Sequence, residues 1–181
     1  HDLHLSKTTD VADRAEFADR KTTRDGRTDW FVDDFTLEEI RSLRARQPFP
    51  GRDQSYDAAF RIPTFSEVLA LAVQESSRRG RPNGVYPETK HPSYFAEKGL
   101  DMAEPLLAAL RHAGLDDPDA AVFIQSFEPE ILRRLDQQTA VPLILLLAGD
   151  RVGESGSVPS DLFEQVATFA DGVGPDKALL S

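Results

Sequence analysis

The chain contains no cysteine, which excludes disulfides, thiolate chemistry and cysteine-type zinc centres. No apolar run approaches the about 20 residues that a membrane-spanning helix needs, and no basic-then-apolar signal segment opens the chain. A mature or trimmed chain reads the same way. Positive charge is in short supply: 31 acidic residues against 21 basic ones give a net charge of −10, which argues against DNA or another polyanion as partner. A small phosphodiester held through a metal fits that balance, because local charge can oppose global charge. Internal repeats and low-complexity tracts are absent, and so is the glycine-rich phosphate loop that marks doubly wound nucleotide folds.

What is present, over the second two-thirds of the chain, is an alternation of amphipathic stretches with short apolar runs. Thr64-Phe65-Ser66-Glu67 has the spacing of a capping box and predicts a helix to about Arg79, with Val68, Leu69, Ala72 and Val73 on one face. A strand through Val85 to Lys90 follows, then a helix from Asp101 to about Ala113 with Leu106, Leu107 and Leu110 as its stripe and Gly114 as its stop. Ala121 to Ile124 reads as a buried strand, Pro129 as the first turn of a helix, and Leu143 to Leu147 as another strand. A helix near Ser160 to Ala170 leads to a short strand around Gly172 to Gly174, and the segment Asp150 to Ser160 reads as a loop.

Strands that are apolar on both faces and alternate with helices predict a parallel sheet covered by helices, an α/β fold. Its closed form is the TIM-like (βα)8 barrel, in which functional residues sit at the C-terminal ends of strands. An open doubly wound sheet is the alternative. A full barrel needs roughly 250 residues, so 181 residues predict an incomplete one, read as a single partial domain over 1–181.

The stretch from Thr8 to Phe60 differs in kind. Asp10, Asp13, Arg14, Asp19, Arg20, Lys21 and Arg24 crowd its start, and it shows one helix signal, Thr36 to about Arg46, where Thr36 and Glu39 have capping-box spacing. Trp30, Phe31, Phe35, Phe49, Tyr56 and Phe60 are its candidate apolar anchors.

The most informative run is Val85-Tyr86-Pro87-Glu88-Thr89-Lys90. On a strand, residues i and i+2 face the same side, so Glu88 and Lys90 point together: a hard anionic ligand for a divalent cation beside a fixed positive charge for a phosphate. By itself the same pair also reads as two solvated charges at a strand end. The chain further carries His1-Asp2 at its start, Gln125-Ser126-Phe127-Glu128, and Asp171-Gly172-Val173-Gly174-Pro175-Asp176. In this order these segments resemble the secreted or periplasmic branch of the glycerophosphodiester phosphodiesterase family, whose corresponding text reads HD, YPE-x-K, Q-x-F and DG-x-GPD. That family also carries an upstream His-Arg pair and a Glu-x-Asp pair, which have no match here.

The resemblance implies hydrolysis of glycerophosphodiesters to glycerol 3-phosphate and an alcohol, by attack of the substrate's own neighbouring hydroxyl with two histidines relaying protons. It implies a divalent metal, Ca2+ or Mg2+, a small-molecule phosphodiester as partner, and a periplasmic or secreted location. Residue by residue it assigns His1 to proton transfer with Asp2 in support, Glu88 to the metal, Lys90 to the phosphate, and Gln125 and Phe127 to the substrate pocket. For Phe127 plain packing is an equal reading. Residues about 8–60 correspond to the family's insertion after the His-Asp motif, a cap over the barrel mouth. His4, His91 and His112 lack metal-like spacing and read as structural. The alternatives are a related phosphodiesterase acting on a phospholipid or teichoic acid, and a non-catalytic barrel fragment or binding protein.

Overall fold

The computed structural model describes residues 3–149 and 161–180. It divides into two compact units, His1–Thr64 and Phe65–Ser181. The expected loop at Asp150 to Ser160 lies outside the described residues, as do His1 and Asp2.

The first unit is built from short 3-10 segments (Val11–Asp13, Ala15–Arg20, Val32–Asp34), a hairpin of β1 (Thr22–Arg24) with β2 (Arg27–Asp29), and one short helix, α1 (Leu37–Ser42). The hairpin is carried by one dipeptide. Asp25 and Gly26 both take positive φ, 49° and 76°, as a two-residue turn matching the twist of its strands demands. Helix α1 has the expected cap: Thr36 accepts from the Glu39 N–H while the Glu39 carboxylate accepts from the Thr36 N–H. It stops at Ser42 rather than at Arg46. Leu43 turns extended because the next residues bond elsewhere: Arg44 N–H to Asp10 Oδ1, Ala45 N–H to Phe60 O, and Arg46 N–H to Thr8 O. Those nonlocal bonds replace the helical ones.

Leu5, Val11, Phe17, Trp30 and Leu43 form the buried cluster of this unit. Trp30 and Phe31 are buried as expected, but Phe49, Tyr56 and Phe60 are exposed. The loop that carries these three is fastened by polar bonds instead, with Gln47 N–H donating to Asp57 Oδ1 and Gln54 Nε2 to Phe49 O.

The second unit starts with α2 (Phe65–Arg79). It continues through α3 (Pro92–Glu97), α4 (Ala103–His112), β3 (Ile124–Ser126), α5 (Pro129–Asp136), β4 (Leu143–Leu147), α6 (Leu162–Val166) and β5 (Gly172–Pro175). Strands β3, β4 and β5 lie side by side in chain order, all parallel. The segment through Val85 and Glu88 extends the order by one more parallel neighbour, bridged at Val85–Val122, just before β3, and at Glu88–Gln125 within it. The order never reverses among the described strands. Such an order is what successive strands of a (βα)8 barrel have, and these strands contain no switch point of the doubly wound kind.

The expected strand at Val85 to Lys90 is broken into bridges for a specific reason. Val85 donates to Ala121 O, Phe123 to Val85 O, Gln125 to Pro87 O and Thr89 to Gln125 O, each at 2.9–3.2 Å. A continuous parallel ladder needs one further donor at position 87, and proline has no N–H.

Alternation then separates two faces. Val122, Ile124, Leu143, Leu145 and Leu147 are buried and pack with Leu107 and Leu110 of α4 and Ile131, Leu132 and Leu135 of α5. The intervening positions, including Gln125, Ile144 and Leu146, lie on the opposite face. On α2 only Leu69 is fully buried, packed with this core; Val68 and Val73 of the expected stripe are exposed. Gly114, at φ 69°, stops α4 as predicted, since the left-handed region is open to glycine. Helix α3 was not anticipated. Its signal is Pro92 at the first helical position.

Candidate active site

Register assembles the site. Glu88 is bridged to Gln125, Gln125 pairs with Ile144, and Ile144 pairs with Gly172, so these four form one row across the sheet on the face away from the helix-packed core. Tyr86 and Phe123 sit two residues earlier on the same face, with ring centroids 5.9 Å apart. Partial burial raises the Tyr86 phenol above its ordinary pKa. In the next row a β-carbon on Gly174 would come within 2.7 Å of Leu146 Cδ2, so neighbouring side chains already fill the space above this glycine.

Lys90 follows Glu88 by two residues, one position past the last backbone bond to β3. A cleft of about 230 Å3 is lined by Glu88, Thr89, Lys90, His91, Phe127 and Glu128. Glu88, Lys90 and Phe127, three of the residues singled out from sequence, therefore meet around one space. Gln125 does not line it. Its side-chain amide donates to Tyr86 O at 3.1 Å and ties β3 to the neighbouring segment.

Two hydrogen-bonding atoms in this region have no partner among the described residues: Glu88 Oε1 and the Thr89 hydroxyl, both buried. A buried carboxylate oxygen without a donor is an energetic liability unless something else satisfies it, and a hard divalent cation prefers such an oxygen. Yet among the described residues no group of three or more His, Asp or Glu side chains could hold a metal ion. Glu88 thus offers one ligand, which falls short of the six or more oxygens such ions take. The described residues do not constitute a metal site by themselves.

His91 and Glu128 line the same cleft, although the sequence pattern marks His91 as structural and gives no signal for Glu128. His91 adopts φ 52°, a left-handed conformation unusual for a residue with a β-carbon. Glu128 stands directly before Pro129 and so looks like an ordinary helix cap. Nothing local in the sequence announces that either belongs to a cleft.

Residues 1–173 match the family described as the glycerophosphoryl diester phosphodiesterase family. The chain belongs to this family. A glycerophosphodiester phosphodiesterase of Arabidopsis thaliana is 32% identical over 200 residues, covering 98% of this chain and 53% of the relative. A glycerophosphodiester phosphodiesterase of Haemophilus influenzae is 33% identical over 146 residues, covering 75% of this chain and 39% of the relative. The crystal structure of a Silicibacter pomeroyi protein assigned as a glycerophosphoryl diester phosphodiesterase superposes with a TM-score of 0.64 at 20% identity, over 97% of this chain and 58% of that one. The fold of this phosphodiesterase-family chain is accordingly of the TIM-like type read from its sequence. The chain spans about half the length of the curated relatives it matches.

Proposed function

We propose that this chain contributes part of the active site of an enzyme that hydrolyses glycerophosphodiesters to glycerol 3-phosphate and an alcohol with the help of a divalent cation, Ca2+ or Mg2+. One observation carries the reading: in a member of this family, the buried Glu88 Oε1, without a partner among the described residues, shares a cleft with Lys90. Glu88 is the metal ligand and Lys90 the cation that neutralises a phosphate oxygen as the diester docks. The metal, when bound, supplies further neutralisation of the phosphate. Phe127, 45% exposed, presents an apolar wall to the organic part of the substrate, and Gln125 holds the wall in register through its bond to Tyr86 O. His1 moves a proton, with Asp2 in support. Residues about 8–60 are the family's insertion within one phosphodiesterase domain. A periplasmic or secreted location is part of the same proposal; among the described residues no helix is long and apolar enough to cross a membrane.

The test is release of glycerol 3-phosphate from glycerophosphodiesters, with and without added Ca2+ or Mg2+, by a chain that carries all of the family's motifs. Glu88→Gln keeps the shape and removes the charge, so metal-dependent turnover falls by orders of magnitude while the fold persists. Unchanged activity at limiting metal removes Glu88 from the site. The 181-residue chain alone is expected to show no turnover, because the family's His-Arg and Glu-x-Asp motifs have no match in it. Robust metal-stimulated release by a monodisperse sample of verified mass overturns that expectation. Weak binding of phosphodiesters without turnover, even when the family's motifs are complete, favours the non-catalytic alternative. Turnover confined to phospholipid or teichoic acid favours the other.

A further inference from the structure

The cleft wall that presents Lys90 is cross-linked twice to the segment that joins the end of β3 to α5, and both links come from residues with no assigned role. Ser126, fully buried, donates its hydroxyl to Thr89 O at 3.1 Å and accepts from Glu128 N–H at 3.2 Å. One hydroxyl therefore fastens the residue before Lys90 to the residue after Phe127. The second link runs the other way. The Glu128 carboxylate accepts from the Ser93 N–H at 3.0 Å and, through the same oxygen, from the Ser93 hydroxyl.

The second link is informative because of what Glu128 does not do. It stands at the N-cap of α5, followed by Pro129, a position where a shorter Ser, Thr, Asp or Asn side chain would accept from the helix's own N–H groups. No such bond exists. The carboxylate is spent across the cleft rim instead, on Ser93 in the first turn of α3, 35 residues earlier in the chain. Between the two links lie Lys90 and His91, and there the backbone turns through the left-handed region at His91 before Pro92, which is buried, opens α3. A residue with a β-carbon holds that conformation only when its surroundings impose it. Thr89 anchored on one side, and Ser93 and Pro92 on the other, are those surroundings.

We propose that Ser126 and Glu128 are positioning residues: together they clamp the 89–93 turn so that Lys90 is presented to the phosphodiester. The proposal rests on the reading of Lys90 as the phosphate-holding cation. A lysine side chain is long and flexible, and a fixed backbone at its root removes part of the entropy that binding must otherwise remove. Glu128 acts here as an acceptor of hydrogen bonds, and its charge is secondary. That sets it apart from a metal ligand or a proton carrier, for which the charge is the function.

The experiment uses affinity for glycerol 3-phosphate, followed through the NMR signal of Lys90 after isotopic methylation of lysines, in Glu128→Ala, Glu128→Gln, Lys90→Ala and the double variant Lys90→Ala/Glu128→Ala. Glu128→Ala is expected to weaken binding about tenfold and to move the Lys90 signal toward that of a solvent-exposed lysine. Glu128→Gln keeps an acceptor oxygen for Ser93 and is expected to restore both to wild-type values. Once Lys90 is gone, Glu128→Ala is expected to add nothing, since the clamp acts only through it. A purely structural Glu128 predicts the opposite: a lowered melting temperature, an unmoved Lys90 signal and losses that add. Wild-type binding in Glu128→Ala, additive losses, or failure of Gln to rescue each overturns the clamp. If Lys90→Ala leaves affinity unchanged, the phosphate reading of Lys90 has failed, while the Lys90 signal in Glu128→Ala still decides whether the clamp exists. Should Glu128→Ala not fold, Ser93→Ala, which deletes the hydroxyl donor alone, carries the same readouts.

Discussion

The two units of this chain solve one problem with different chemistry. In the second, alternating aliphatic residues on parallel strands bury a continuous core, in which Leu107, Leu110, Ile124, Leu132 and Leu135 are fully inaccessible. In the first, regular elements are three to six residues long, and order comes from long cationic side chains laid on rings and forked onto carboxylates. The Arg20 guanidinium lies 5.4 Å from the Phe17 ring centre and 5.1 Å from that of Phe35, and binds both oxygens of Glu39. Lys21 sits 4.8 Å from the Trp30 ring, whose Nε1–H donates to Phe17 O at 2.6 Å. A segment too short for a large core can still be specified when its aromatic rings and charges are used in pairs.

The largest expected effect tests whether this division is also an energetic one. Leu132→Ala leaves a cavity in the second core and should cost about 2–5 kcal/mol. Trp30 is the sole tryptophan and belongs to the first unit's core, so its fluorescence follows that unit, whereas far-UV circular dichroism is dominated by the longer helices of the second. The substitution should shift the dichroism midpoint in urea and leave the fluorescence midpoint in place. Coincident shifts make the chain one cooperative system and dissolve the distinction.

Trp30→Phe sharpens the comparison from the other side. It deletes the indole donor to the Phe17 carbonyl and weakens the Lys21 contact, which together should cost about 1–3 kcal/mol in the first unit. Amide exchange along β1 and β2 measures it, and unaltered protection there means that the ring's packing alone suffices. Thr36→Ala removes the cap of α1 and should cost about 1 kcal/mol, read from exchange at residues 37–42. No change would mean that nonlocal contacts, and not the cap, hold that helix.

The smallest effect is one of acid. The Arg20 side chain, aided by the Thr36 N–H, lowers the Glu39 pKa from 4.5 to about 2. Because the folded value lies below the ordinary one, the stability this carboxylate contributes is present above about pH 4.5 and is lost as pH falls toward 2. Glu39 is solvent-accessible, so screening keeps the effect small. Glu39→Gln should flatten the pH dependence of the first unit over that window alone. A Glu39 carboxyl that titrates at its ordinary value in an NMR titration removes the contribution.

Much of the second unit was legible in the residues because its elements follow local rules. Leu143 to Leu147 can hardly be anything but a buried strand, and Pro129 and Gly114 mark a helix start and a helix end at the positions observed. The first unit was far less legible. The Thr36 to Arg46 stretch carries a sound cap and helix-forming residues, yet four of its predicted positions are extended or bonded elsewhere, because Asp10, Thr8 and Phe60 compete for the backbone from across the unit. At the candidate site the split is similar. The two-residue spacing of Glu88 and Lys90 was readable, while the bond from Gln125 to Tyr86 O and the cleft positions of His91 and Glu128 were not.

The sequence by itself determined the family, the alternation of strands and helices, and the pairing of a carboxylate with an ammonium at a strand end. These depend on periodicity and on short fixed spacings, which a linear text records directly. Tertiary structure alone decided which atoms lack partners, that Pro87 interrupts the ladder beside Glu88, and that Glu128 turns from its own helix toward Ser93. Each of these depends on register between strands distant in the chain, and register is set when apolar faces are buried together, which no local window of residues contains.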